Sequence, residues 1–144
     1  MQSATQASLI RRLSEMQLSP NEPGYNVVAI SDAVEELMRS VGSDDIGDVV
    51  AQGVDEALLT LEQASSVLDV ATWSGADNGA ALQRTLNLWL SRGENLTRVW
   101  LALYHHVFPM KTKSEMTAAL EHIVKKFPEL RPRCEYLIHR RTGI

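Results

Sequence analysis

The side chains with the richest chemistry in this chain are four histidines, one cysteine and eighteen carboxylates. Their spacing assembles none of the familiar sites. His105 and His106 are adjacent, so on a helix they diverge by about 100° and cannot readily share a metal ion. His106 flanks the apolar face beside Val99, whereas His105 falls on the opposite side near Arg98. His122 lies on the polar edge of its helix, and His139 meets Glu135 as an ordinary helix pair. Neither a His-Glu-x-x-His run nor paired cysteines occur, so no metal site is expected.

A calcium loop needs oxygen ligands at its first, third and fifth positions, glycine at the sixth and glutamate at the twelfth. Frames starting at Asp44 or Asp45 place Ile46 or Gly47 third, and a frame anchored on Gly79 ends on Thr85. Both fail. Cys134 stands beside Arg133, which would lower a thiol pKa, but His139 five residues on points to another face. A phosphate-cradling Gly-x-x-x-x-Gly-Lys loop is missing as well. The chain reads as non-enzymatic, with no cofactor.

Charge is the uneven feature. Residues 32–62 carry nine acids against Arg39, whereas residues 111–144 carry eight bases against four acids. Lys125, Lys126, Arg131, Arg133, Arg140 and Arg141 form a candidate basic patch on the last two helices, able to neutralise phosphates. The whole chain nevertheless has a formal net charge of −4 and a pI near 5.5, which weighs against nucleic acid. The acidic 32–62 region is the inverse candidate, a surface imitating nucleic acid.

Positioning falls to helices, because almost every segment repeats at the helical period. Ser3 and Gln6 make a cap-like start, followed by Leu9, Leu13 and Met16, and SPNEPG (19–24) ends that helix. Ile30, Val34, Leu37, Met38 and Val41 stripe a second helix closing at Gly42. From a cap at Ser43 or Asp44, Val50, Val54, Ala57, Leu61, Ala64, Leu68 and Ala71 predict one long helix with a small-residue seam.

The SGADNG turn (74–79) then leads, through a cap at Asp77 or Asn78, into Leu82, Leu86 and Trp89, closed by Gly93. Asn95 opens a helix with Leu96, Val99, Trp100, Leu103 and Val107 on one face, reaching Pro109. Thr112-x-x-Glu115 opens the sixth, striped by Met116, Leu120, Ile123, Val124 and Phe127, and Pro132 opens a short last one. Only Tyr25 to Ile30 hints at a strand. The expected fold is an all-α bundle of about six to seven helices in a single domain over 1–144, with possible subdivision at the 74–79 loop.

Leu86, Trp89, Gly93, Thr97 and Leu101, within LNLWLSRGENLTRVWLAL, resemble the fourth-to-fifth helix passage of death-fold domains, a family of six-helix adaptors. The resemblance implies a homotypic protein-binding role and assigns no role to any single residue. It departs from that family in the two further helices that follow.

A non-enzymatic protein-interaction module is the leading expectation: adaptor, inhibitor, immunity-type or regulatory, with a protein partner or self-association. Leu88 lies about 120° or more from the centre of its core face, and Leu101 about 140° from Leu96. Leu88, Leu101 and Tyr104, rimmed by Arg92, Arg98 and His105, are therefore a candidate surface patch. The start, MQSATQASLIRR, puts no apolar run after a basic segment, and the Val99 to Met110 stretch is too short to span a bilayer. A cytoplasmic location and no membrane partner are expected.

Overall fold

Short polar side chains set where the helices begin. The computed structural model describes residues 4–74, 77–105 and 108–141. Ser3, Gly75, Ala76, His106 and Val107, all used in the expectations above, lie outside the described residues. Asn26, Asn95 and Thr112 each accept a hydrogen bond from a first-turn N–H, at 3.1, 3.0 and 3.1 Å. Such caps satisfy amide donors that a helix start leaves bare, at about 1 kcal/mol each. The Asp77 carboxylate takes the Gly79 and Ala81 N–H groups, both at 3.0 Å.

The elements that follow are α1 (Ala4–Ser14), α2 (Val27–Val41), α3 (Ile46–Asp55) and α4 (Leu61–Ser74), then α5 (Ala80–Arg92) and α6 (Leu96–Leu103). After these come α7 (Lys113–Lys126), a 3-10 turn (Pro128–Leu130) and α8 (Arg131–Arg140). Among the described residues the fold is all-helical without strands, as its periods require. There are eight α-helices among those residues rather than six to seven.

The added helix comes from a break in the long one. After α3 the chain makes a Schellman turn, in which Leu58 N–H donates to Gly53 O at 2.8 Å and Ala57 N–H to Val54 O at 3.0 Å. Ala57 sits at the left-handed position, φ +61°, where glycine is usual. Thr60 and Gln63 then form a reciprocal capping box: Thr60 Oγ1 accepts from Gln63 N–H at 3.1 Å, and Gln63 Oε1 accepts from Thr60 N–H at 2.9 Å. The Gln63 Nε2 also donates to Ser14 O at 3.0 Å, so one side chain starts α4 and satisfies the last carbonyl of α1. Of the seam, Val50, Ala64, Leu68 and Ala71 are buried, whereas around the break Val54 and Leu61 are half-buried and Ala57 is exposed.

Contacts divide the chain into two units, Met1–Leu82 and Gln83–Ile144, with the boundary inside α5. In the first, α2 lies against α1 and α4, burying Ile30, Val34 and Leu37 with Ile10 and Leu13. Burial of each such aliphatic side chain contributes about 1.5–3 kcal/mol. At Gly53 a Cβ would lie 3.3 Å from both Ile10 and Leu59, so glycine lets these elements approach closely. In the second unit, Met116, Leu120 and Ile123 of α7 are buried together with Leu130, Cys134 and Leu137. Gly93 closes α5 at φ +57°, with Ile123 and His122 of α7 beside it.

Left-handed backbone at a residue with a Cβ costs about 1–2 kcal/mol, which glycine avoids. Ala57→Gly should therefore stabilise the chain by about 1 kcal/mol, less the entropy that glycine adds to the unfolded state. A raised melting temperature in calorimetry is the expected result. An unchanged or lower one would show the turn to be unstrained.

Candidate functional site

α8 is a two-faced helix, and its faces do different things. Residues 133, 136, 137 and 140 recur at i, i+3, i+4 and i+7, so Arg133, Tyr136, Leu137 and Arg140 share one side. With Tyr104 and His105 after α6, and Phe108, they line a cleft of about 470 Å³. Aromatic rings and guanidinium groups contact one another along it and behind it. The Trp100 and Tyr104 rings stack with centroids 4.3 Å apart and planes 21° apart. The Arg133 guanidinium carbon lies 4.7 Å from the Tyr104 ring centre and 5.0 Å from that of Tyr136, and Arg140 lies 5.7 Å from Tyr136. All fall within cation–π range.

Backbone carbonyls hold this arrangement in place. Arg133 donates its Nε–H to Leu103 O at 2.7 Å, supplying the donor that the last residue of α6 would otherwise lack. Arg141 donates to Pro109 O, to Met110 O at 3.1 Å and to Lys111 O at 2.9 Å. Asn87 Oδ1 accepts the Met110 N–H at 3.1 Å. The segment carrying Phe108 is thus fixed from two directions.

The candidate basic patch does not form one surface. On a helix Arg131 and Arg133 diverge by about 160°. Arg131 instead faces Glu135 at 3.7 Å and lines a different cleft, of about 370 Å³, with Lys125, Cys134 and Ile138. Lys126 is exposed beside Phe127, and Arg141 is committed to carbonyls. Only Arg133 and Arg140 of the six reach the aromatic cleft. In the acidic 32–62 region, Glu36 is held by Arg12 at 2.7 Å.

The apolar patch needs correction too. Leu101 is 1% exposed and belongs to the core, because α6 buries Val99, Leu101, Ala102 and Leu103 and is covered on more than one side. Leu96, assigned to the core face, is exposed instead. His105 is buried, not rim. Leu88 is 46% exposed, Arg92 is exposed, and Arg98 is half-buried, 5.7 Å from the Trp89 ring. The structure therefore unites Tyr104 and His105 from one candidate set with Arg133 and Arg140 from the other. Phe108, Tyr136 and Leu137 complete the cleft and were missed as site residues. The Arg133–Tyr136–Arg140 stripe at helical spacing was the available signal.

At Cys134 burial outweighs the neighbouring cation. Desolvation pushes the thiol from 9.0 up to about 11, against the opposing pull of Arg133. Among the described residues no group of histidine, cysteine and carboxylate side chains converges to hold a metal ion, and no helix is long and apolar enough to cross a membrane. No protein-family model matches the chain, and neither a curated protein nor a solved structure matches it.

Leu101→Ala should cost about 2–5 kcal/mol, the range for truncating a buried leucine, while Leu88→Ser should stay within about 0.5 kcal/mol. Denaturant unfolding of both variants checks the assignment, and equal costs would overturn it. The Cys134 thiol should resist alkylation at neutral pH in the folded chain and react once it unfolds. Because the folded state holds this proton more tightly, the associated stability is complete below pH 9.0 and is lost as pH rises toward about 11. Cys134→Ala should flatten that alkaline loss in pH-dependent melts.

Proposed function

We propose that this chain is a non-enzymatic protein-interaction module that engages its partner through the aromatic and arginine cleft of residues 83–144. An adaptor, inhibitor or regulatory role in the cytoplasm belongs to the same proposal. The observation that carries it is the Tyr104–Arg133–Tyr136–Arg140 run, held from behind by backbone hydrogen bonds. Tyrosine and arginine dominate the residues on which protein interfaces depend, because they bury large area at modest entropic cost and keep a polar edge. Tyr136 and Phe108 are 49% and 40% exposed and offer such area beside guanidinium donors. Rigid walls favour binding further, since little ordering remains to be done on association.

Nucleic acid is the weaker partner for this surface. Binding to it gains from many phosphate contacts in series. Here the bases divide between two clefts, and two arginines already donate to carbonyls.

Affinity purification from native cells, with wild-type chain and Tyr136→Ser, tests the proposal. A protein retained by the wild type and lost with the variant is expected, with both melting within about 2–4 °C of each other, as suits a surface change. Identical protein sets, or a nuclease-sensitive partner alone, would refute it.

A further inference from the structure

Resting on the partner reading above, we infer that the cleft recognises an acidic peptide segment, with Arg133 and Arg140 receiving its carboxylates. The charge of the cleft is one-sided. Among the described residues Arg133 and Arg140 line it, and no carboxylate does. Of the neighbouring acids, Glu135 faces Arg131 in the other cleft, so it does not neutralise this one.

The donors are also unspent. Arg133 uses its Nε–H on Leu103 O, and its terminal amino groups make no hydrogen bond among the described residues. Arg140 makes neither a hydrogen bond nor an ion pair there; its guanidinium contact is the Tyr136 ring. A guanidinium whose terminal N–H groups are unspent keeps a two-donor edge for a ligand. That edge matches the two oxygens of a carboxylate, which a lysine ammonium would meet only as a point charge.

Size and sign then choose the source. A cleft of about 470 Å³ admits a few side chains of an extended or helical segment, not the length of a nucleic-acid strand. The chain as a whole carries −4, so a long polyanion meets net repulsion, whereas a short segment meets chiefly the local field.

The test is fluorescence anisotropy with three labelled probes. They are a twelve-residue peptide alternating Glu and Asp with Leu and Tyr, the same peptide with Gln and Asn replacing the acids, and a twelve-nucleotide single strand. The acidic peptide should bind about tenfold or more tightly than its amide counterpart, the difference expected from charge-assisted hydrogen bonds. Arg140→Gln should remove about tenfold of that affinity, and Arg140→Lys should not restore it fully. Tyr136→Leu should weaken the acidic peptide too, because it removes the ring against both guanidinium groups.

Equal binding of the amide peptide would overturn the inference, as would tighter binding of the oligonucleotide or competition by inorganic phosphate at equal concentration. These outcomes separate from failure of the interaction-module proposal. If the peptide fails while a native protein partner still depends on Tyr136, only the acidic chemistry is wrong. If no protein depends on Tyr136, the module proposal itself falls.

Discussion

A helix that stops leaves carbonyl oxygens facing outward with no amide to meet them, and the unit 83–144 meets that need with arginine. Arg133 supplies the carbonyl that ends α6, and Arg141 supplies three consecutive carbonyls of the segment before α7. At the end of α6 the Arg133 cation is doubly suited, since it also opposes the negative end of the helix dipole. Without these bonds Tyr104 and Phe108 would have no fixed place relative to α8. The cleft is thus a by-product of how the chain satisfies its own backbone, and its aromatic walls follow from that.

The same bonds explain why counting charge misleads here. Six bases near one end of a sequence suggest a single electropositive face. In the folded chain Arg133 and Arg141 spend hydrogen-bond donors inward, Arg131 leans toward Glu135, and the two lysines at the end of α7 stand apart from the cleft. A guanidinium has five donors, so Arg133 can satisfy a carbonyl and still present an outward edge.

Local features were legible in the sequence and distant ones were not. Caps at Asn95 and Thr112, the Asp77 turn and the glycine closures at 42 and 93 need only a few consecutive residues, and each stands where its spacing places it. The break between α3 and α4 escaped because the four-three spacing of apolar residues runs on through it. The Thr60-x-x-Gln63 box, inside that run, was the local sign that it stops. Leu101 escaped for a different reason: α6 is covered on more than one side, so no single stripe marks its buried face. The cleft itself joins Tyr104 to Arg133 across 29 positions, a contact that no periodicity encodes.

Cys134 has a consequence of another kind. Its thiol is 1% exposed and stays protonated far above neutral pH. Glutathione exchange and peroxide oxidation both proceed through an accessible thiolate. Burial in the folded chain therefore shields this one thiol from both reactions.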